Sequence, residues 1–280
     1  MRVEIEDLRI GFPGNLSGGR GIHFAVRGVD LAMGTEKLGI VGESGSGKSL
    51  TARAVIGLTP PGAVVHAKKI LFDGIDILGA SSRTLGAIRG RRAGLILQDP
   101  KFALNPVMTA GAQIAEPLQL HKKLSRKAAR AAAVDLLAQV QIRNPRAVAD
   151  RYPHELSGGM GQRVMIAMML AGDPELLIAD EPTSALDATV QAEILRLIED
   201  LVSRRGMGLI LISHDLPLVS HFCNRVMVMY AGRVVETVRA AELVHSRHPY
   251  TQGLLACLPS LNHPRQRLPV MTRDPAWEAA

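Results

Sequence analysis

The octapeptide Gly-Glu-Ser-Gly-Ser-Gly-Lys-Ser at 42–49 constrains the fold of this chain more than any other feature. It follows an apolar segment, 37–41, that is typical of a buried strand, and it leads into a helix-forming segment, 49–58. In this setting the glycines let the backbone wrap around phosphates and direct successive N–H groups at them. Lys48 is then expected to neutralise the β- and γ-phosphates, and the Ser49 hydroxyl to ligate Mg²⁺. The pattern predicts a phosphate-binding loop in an α/β fold.

Apolar strands and helical segments alternate along much of the remaining chain, which favours a mainly parallel sheet covered by helices. Residues 2–11 and 24–33 have instead the pattern of antiparallel strands, joined by a glycine-rich loop over 13–21. Residues 109–152 are predicted to form helices rich in Ala, Leu, Lys and Arg. We therefore predict a P-loop NTPase core with an N-terminal antiparallel β-subdomain and an inserted α-helical subdomain at about 105–160.

Composition narrows the class of protein. The chain has 280 residues, of which 47% are apolar, and this suits one large domain with a small appendage. Its apolar runs are much shorter than the roughly 20 residues that cross a bilayer, and its N-terminus has no apolar segment of the secretory type. We therefore expect a cytoplasmic location. Cys223 and Cys257 have no metal-ligand spacing, so we expect both to be reduced and packed.

The net charge of +7 is unevenly distributed. Residues 121–151 contain eight Lys or Arg and two Asp, an excess of six positive charges. A basic surface can hold nucleic acid, although an aromatic content of 3% offers few rings for base stacking. A solvated helical face and a surface close to anionic lipid are the other two interpretations.

Acidic and amide side chains follow predicted strands. Asp180 and Glu181 come after the apolar segment 176–179. An acid at the end of a buried strand can hold the metal, and the adjacent carboxylate can polarise a water molecule as a general base. Gln98 also ends a strand and could ligate Mg²⁺, while His214 could orient the water or contact the γ-phosphate. Taken alone, each of these last two residues is more often structural than catalytic.

Together these motifs resemble the ATP-binding cassette family in identity and order, over almost the whole chain. The motifs are the phosphate loop 42–49, Gln98, Leu-Ser-Gly-Gly-Met at 156–160, Asp180-Glu181, Ser-Ala-Leu-Asp at 184–187, and His214. The resemblance implies an ATPase in which two such subunits meet face to face around ATP. It also implies an ATPase domain at 1–246 and an oligopeptide-transporter-type tail at 247–280.

The resemblance assigns a role to each motif residue. It implies catalytic roles for Glu181, His214 and Gln98, and metal binding by Ser49, Gln98 and Asp180. It implies ATP binding by Gly42, Glu43, Ser44, Gly45, Ser46, Gly47, Lys48, Ser49, Leu50 and the aromatic Phe12, with Phe24 as the alternative ring for adenine. It implies contact with the γ-phosphate of the other subunit by Ser157, Gly158, Gly159, Met160 and Asp187. Met160 stands where the family most often has Gln, and a second Leu-Ser-Gly-Gly at 16–19 is interpreted as a turn without this function.

The tail sequence His-Pro-Tyr-Thr at 248–251 is similar to the importer group for dipeptides, oligopeptides and nickel. This implies ATP and Mg²⁺ as cofactors, and as partners a second ATP-binding subunit, homologous but different, two membrane permease subunits and an extracytoplasmic solute-binding protein. The subunit would lie peripherally on the cytoplasmic face of the inner membrane. Members of this group often have a cluster of C-terminal cysteines, which this chain lacks, so no iron–sulfur cluster is expected.

Two alternative functions stay open at this level. One is a non-transport relative that acts on nucleic acid or the ribosome through the basic helical subdomain. The other is a regulatory, catalytically degenerate subunit, against which the intact Lys48, Asp180, Glu181 and His214 argue. We expect no nucleic acid partner. Nothing in the sequence identifies the transported solute.

Overall fold

The structure, a computed structural model, describes residues 1–16, 19–258, 274 and 277. The strands are β1 (Val3–Leu16), β2 (Gly19–Met33), β3 (Lys37–Val41), β4 (Val64–His66), β5 (Lys69–Phe72), β6 (Ile75–Asp76), β7 (Ala93–Ile96), β8 (Leu176–Asp180), β9 (Gly208–Ile212), β10 (Arg225–Tyr230) and β11 (Arg233–Arg239). The α-helices are α1 (Lys48–Ala54), α2 (Ser82–Ile88), α3 (Pro100–Ala103), α4 (Ala110–Lys122), α5 (Arg126–Gln139), α6 (Pro145–Ala149), α7 (Gly158–Leu170), α8 (Ala188–Arg205), α9 (Leu216–Phe222) and α10 (Pro249–Ala256). Short 3₁₀-helices cover Pro153–Glu155 and Ala240–His245.

The chain forms two compact units. One comprises residues 79–210 together with Met1, and the other comprises residues 2–78 and the chain from 211 onward. The chain passes from the first to the second within β9. We call them the helical unit and the phosphate-loop unit, and each is described by itself.

The phosphate-loop unit contains an antiparallel sheet with the strand order β2-β1-β5-β6, in which β4 also pairs with β1. The N-terminal segments with the alternating apolar pattern therefore form the predicted antiparallel subdomain. In the same unit β10 pairs in parallel with β3 and antiparallel with β11. Helix α9 packs directly on β3, since a Cβ atom built at Gly39 would lie 2.1 Å from Val219 Cγ1. This contact holds the strand that enters the phosphate loop.

In the helical unit β7 and β8 pair in parallel, with Ile96 opposite Ala179. Helix α7 covers β7, because a Cβ atom at Gly94 would lie 3.2 Å from Met169 Cβ. Helices α4, α5 and α6 bury a small apolar core that includes Ile114, Ala133 and Leu137. These helices occupy the segment in which the sequence predicts helical insertion. Among the described residues, no helix is both long enough and apolar enough to span a bilayer.

The structure differs from the sequence-based expectation at several elements. The expected loop over 13–21 was wrong in part, because Pro13 pairs with Ile22 and Leu16 with Gly19, so a β-hairpin arm extends through it. Main-chain hydrogen bonds build this ladder without requiring apolar side chains. Residues 17 and 18 of the second Leu-Ser-Gly-Gly lie outside the described residues. Helix α1 ends at Ala54, four residues before the predicted end, and Gly57 follows with a φ of +66°.

Four helices or strands were not predicted from the sequence. These are α2, α3, β11 and α10, and the last of them lies in the segment interpreted as the C-terminal tail. The short α10 has eight residues, which is too few for a periodic apolar pattern to distinguish it from a loop. Cys223 is buried and Cys257 is partly buried.

Candidate functional site: the phosphate loop and the carboxylate strand end

The phosphate loop connects β3 to α1 in the phosphate-loop unit. Its glycines are required by the backbone, since Gly42, Gly45 and Gly47 have φ values of +146°, +82° and +95°. A Cβ atom at Gly42 would lie 2.1 Å from the carbonyl oxygen of Met229. Ser44 and Gly45 at the tip are exposed, whereas Ser49 and Leu50 in the first turn of α1 are partly buried. The loop thus presents its main chain to solvent from a closely packed base.

Lys48 is held against the loop itself. Its side chain is only 6% exposed, and Nζ donates hydrogen bonds to the carbonyl oxygens of Gly42 at 2.9 Å and Glu43 at 2.7 Å. The N–H group of Ser46 donates to the same Glu43 oxygen at 3.2 Å. These bonds fold the loop back over the start of α1. A fixed ammonium group on a glycine-rich loop is suited to a polyphosphate anion.

His214 lies in the same unit, in the segment that follows β9. The N–H of Ser213 donates to the carbonyl oxygen of Ile40 at 3.2 Å, so this segment runs beside the strand that enters the phosphate loop. His214 is exposed. The next residue, Asp215, caps α9, and its side chain accepts a hydrogen bond from the N–H of Leu218 at 2.9 Å. The structure therefore places the predicted residue His214 in a segment beside the end of β3, the strand that enters the phosphate loop.

The two candidate aromatic residues lie on neighbouring strands but on opposite faces. Phe12 pairs with His23, and Phe24 pairs with Gly11, one position along the ladder. Successive residues of a strand point to opposite faces, so only one of the two rings faces a given side of the hairpin. Phe24 Cδ1 lies 3.0 Å from a Cβ atom built at Gly11. Phe12 lies within β1, which extends beyond the segment 2–11 expected for the first strand.

The carboxylates and the glutamine meet at one sheet edge in the helical unit. Asp180 is the last residue of β8 and is 4% exposed. Glu181 follows with a φ of +46°, an uncommon backbone conformation for a residue other than glycine. Gln98 follows β7, the parallel neighbour of β8, and is exposed. Because parallel strands share their carboxyl edge, these three residues emerge on the same side.

The second cluster in the helical unit is the start of α7. Ser157 caps this 13-residue helix, and its Oγ accepts a hydrogen bond from the N–H of Met160 at 3.3 Å. A Cβ atom at Gly159 would lie 2.8 Å from Val190 Cγ1, so the motif packs against the start of α8. Asp187 caps α8 by accepting from the N–H of Val190 at 3.1 Å. Ser157 and Gly158 are exposed and Gly159 and Met160 partly buried, so the signature residues and Asp187 form one surface.

One contact of the phosphate loop was missed by sequence reasoning. The hydroxyl oxygen of Tyr250, in α10, accepts a hydrogen bond from the main-chain N–H of Glu43 at 3.0 Å. The two residues are 207 positions apart. The sequence motif 248–251 indicated only a family subgroup, and no local pattern could have indicated this contact.

The fold, the phosphate loop, the carboxylates after β8 and the serine and glycines at the start of α7 together define a class of protein. It is a P-loop nucleotide-binding protein with an acidic strand end and a separate serine–glycine helix start. A family model described as ABC transporter matches residues 28–184. The chain is 47% identical over 264 residues to the oligopeptide transport ATP-binding protein OppD of Bacillus subtilis (strain 168), covering 92% of this chain and 72% of the relative. It is 48% identical over 234 residues to the dipeptide transport ATP-binding protein DppD of Escherichia coli (strain K12), covering 83% and 72%.

Solved structures of ATP-binding cassettes are similar to this chain. The ATP-binding cassette MJ0796, in a dimeric post-hydrolysis state bound to ADP and Pi, superposes with a TM-score of 0.73 at 27% identity and covers 85% of this chain and 98% of its own. The cassette cbiO1 from Clostridium perfringens, part of the complex cbiONQ, gives a TM-score of 0.70 at 27% identity, covering 87% and 90%. The chain belongs to the ABC transporter family. The expected fold class and family are thereby confirmed.

Proposed function

We propose that this chain is the ATP-hydrolysing subunit of an importer for peptides, or for nickel or another small solute, working through a pair of membrane permeases. One observation carries the proposal: the chain has the complete set of motifs, with the phosphate loop after β3 and the carboxylates after β8, and it is similar to OppD and DppD over most of its length. Those two relatives are transport ATP-binding proteins for oligopeptides and dipeptides. We propose an ATPase domain at 1–246, with its helical subdomain at about 105–160, and a tail at 247–280.

ATP binding is assigned to the phosphate loop. Residues 42–50 would receive the phosphates, with the N–H groups of the loop and Lys48 facing their negative charge. Adenine would stack on Phe12, with Phe24 as the alternative. The positive φ values at Gly45 and Gly47 support this assignment, because side chains there would occupy or strain the cradle.

Magnesium suits the donor set of these motifs. Ser49, Asp180 and Gln98 offer oxygen atoms, which Mg²⁺ prefers. Among the described residues no group of three or more His, Cys, Asp or Glu forms a metal cluster, and a nucleotide-bound Mg²⁺ needs only one or two carboxylates besides phosphate oxygens. When bound, the metal supplies charge neutralisation on the phosphates. No iron–sulfur cluster is part of the proposal.

Hydrolysis is assigned to Glu181, with Gln98 and His214 orienting the water. Glu181 follows the buried Asp180, and its carbonyl oxygen accepts hydrogen bonds from the N–H and Oγ of Ser184, both at 3.3 Å. The main chain is thereby fixed where the carboxylate leaves the sheet. A positioned carboxylate can take the proton of a water molecule that attacks the γ-phosphorus. Proton transfer of this kind contributes about 10²- to 10⁴-fold to a rate.

The start of α7 is assigned to the nucleotide of a second subunit. Ser157, Gly158, Gly159 and Met160 lie at the positive end of a helix, which favours a phosphate group. Asp187 would contact the same interface. MJ0796 is known as a dimer. In our proposal the second subunit is a homologous but different chain, and ATP binding drives closure as a ligand-dependent population shift.

We place the docking surface for the membrane subunits in the helical unit. A cavity of about 520 Å³ is lined by residues that include Pro100, Leu104, Pro153 and Leu156. Phe102 beside it is 87% exposed, which is unusual for a large apolar side chain. We propose that a short cytoplasmic helix of a permease docks here. The subunit would then lie peripherally at the cytoplasmic face of the inner membrane, and an extracytoplasmic protein would deliver the solute.

Transport by a reconstituted complex tests the proposal. The chain would be assembled in lipid vesicles with a candidate permease pair and a candidate second ATPase subunit from the same organism. We expect uptake of labelled di- or oligopeptide to require MgATP and the solute-binding protein. A parallel assay with ⁶³Ni²⁺ distinguishes the cargo within the same class. The proposal would be contradicted if the rate of ATP hydrolysis were the same with and without the permeases and the protein bound DNA with an affinity that falls steeply with salt. That result would favour a nucleic-acid function.

A further inference from the structure

We infer that Tyr250 in the C-terminal helix α10 is a positioning residue for the phosphate loop, so that the tail determines how tightly the protein holds ATP. The inference rests on the proposed ATP binding and extends it to a residue far from the loop in sequence. Tyr250 is fully buried, at 0% exposure. Its hydroxyl oxygen accepts the N–H of Glu43 at 3.0 Å.

The Glu43 residue held by Tyr250 is also the one that holds Lys48. The carbonyl oxygen of Glu43 accepts hydrogen bonds from Lys48 Nζ at 2.7 Å and from the N–H of Ser46 at 3.2 Å. Hydrogen bonds therefore fix the main chain of Glu43 through both its N–H and its carbonyl group. Removal of the Tyr250 hydroxyl would take away the hydrogen bond to the N–H of Glu43 and leave those to its carbonyl oxygen in place. A loop that binds phosphate through pre-oriented N–H groups loses affinity when its main chain gains alternative orientations.

Aromatic packing places the Tyr250 hydroxyl. The ring of Tyr250 lies 4.6 Å from the ring of Tyr230 and 5.8 Å from that of Trp277, between centroids. Tyr230 ends β10, whose residue Met229 lies against Gly42 of the loop. The ring is therefore enclosed by side chains and has little freedom to move the hydroxyl away from Glu43.

A partly buried carboxylate fixes the helix that bears Tyr250. Glu236 in β11 accepts hydrogen bonds from Thr251 Oγ1 at 2.8 Å, from the N–H of Arg247 at 3.3 Å, and from the Ser246 hydroxyl. Burial by itself raises the pKa of Glu236, but these three hydrogen bonds and the nearby His248 outweigh burial and hold that pKa below its usual value. Thr251 is 0% exposed. The ionised carboxylate thus ties the start of α10 to the strand beside it.

The test removes one oxygen atom from the full-length chain. We expect Tyr250→Phe to weaken MgATP binding roughly threefold to tenfold, because a hydrogen bond to a partly buried amide is lost. Loss of ground-state binding raises KM, so kcat at saturating ATP should stay within about twofold. Tyr230→Phe is the matched control, since it makes the same chemical change in the neighbouring ring. Titration calorimetry gives the affinity, and phosphate release gives KM and kcat.

A second variant tests the anchoring of the helix. Thr251→Val removes the hydrogen bond to Glu236 without altering the loop, and we expect it also to weaken MgATP binding. Thr251→Ser keeps the hydroxyl and should restore most of the affinity. The effect of Thr251→Val should be less than additive with that of Tyr250→Phe, because both variants act through the contact between Tyr250 and Glu43.

The outcomes separate this inference from the proposed function. If the unaltered protein binds and hydrolyses ATP but Tyr250→Phe binds it as tightly as Tyr230→Phe does, the inference is wrong and the proposed function stands. If kcat falls while KM is unchanged, Tyr250 acts in some other way and the inference is equally overturned. If the unaltered chain binds no ATP at all, the proposed function itself fails.

Discussion

Replacing Glu181 by glutamine separates nucleotide binding from hydrolysis. The substitution keeps the size of the side chain and leaves intact the two hydrogen bonds that Ser184 makes to the main-chain oxygen of residue 181. The buried Asp180 is unaltered. The only group removed is the carboxylate that we propose takes the proton of water, so the protein should still bind MgATP with an affinity within about threefold of the unaltered chain.

The expected loss is in turnover. A general base contributes about 10²- to 10⁴-fold, and each tenfold corresponds to about 1.36 kcal/mol of activation free energy. The barrier should therefore rise by about 3 to 5 kcal/mol. Phosphate release at saturating MgATP measures this loss, and calorimetric titration measures binding on the same samples.

A matched control is Glu242→Gln, which makes the same change at an exposed glutamate in the 3₁₀-helix Ala240–His245. It should hydrolyse ATP at the rate of the unaltered chain. If Glu181→Gln turns over ATP within threefold of Glu242→Gln, the carboxylate is not the base and its assigned role is refuted.

Three further predictions follow from particular contacts. Lys48→Ala should weaken MgATP binding itself by at least tenfold, because it removes a charged group held against the loop, and unaltered affinity in a calorimetric titration would contradict the phosphate-loop assignment. Phe12→Ala and Phe24→Ala should differ in their effect on ATP affinity, since the two rings lie on opposite faces of one hairpin; equal small effects would mean that neither stacks on adenine. Gly172→Ala should lower the free energy of unfolding by about 2 kcal/mol, because its Cβ atom would lie 1.8 Å from a backbone oxygen. Gly86→Ala, in a helix with no atom within 4 Å of its Cβ, should raise that free energy by about 0.5–1 kcal/mol, and urea titrations in which both variants shift alike would contradict this steric argument.

The motifs to which we assign phosphate binding could be located from the sequence because each is a contiguous segment. A phosphate loop uses its own main chain, so glycines at fixed spacing and the lysine that follows define it without further information. The strands β3 and β8 were predicted to within a residue, because their four or more buried positions form uninterrupted runs without charged residues before the last position. The N-cap residues Ser157 and Asp187 also lie where the sequence indicates helix starts.

Other features required the tertiary structure. The hairpin arm beyond Phe12 is built from main-chain pairing. A segment rich in glycine and proline has no side-chain pattern that would predict this pairing. The opposite facing of Phe12 and Phe24 depends on the register between β1 and β2, and a shift of one residue would reverse it.

The sequence by itself determined the family, the phosphate loop and the carboxylate strand end, since short-range spacing encodes their chemistry. Only the tertiary structure decided that Tyr250 of α10 holds the main chain of Glu43, with Glu236 fixing that helix. The physical reason is that these contacts join residues far apart in the chain, and such pairs are selected by packing and by the burial of polar groups that need partners, not by any local pattern.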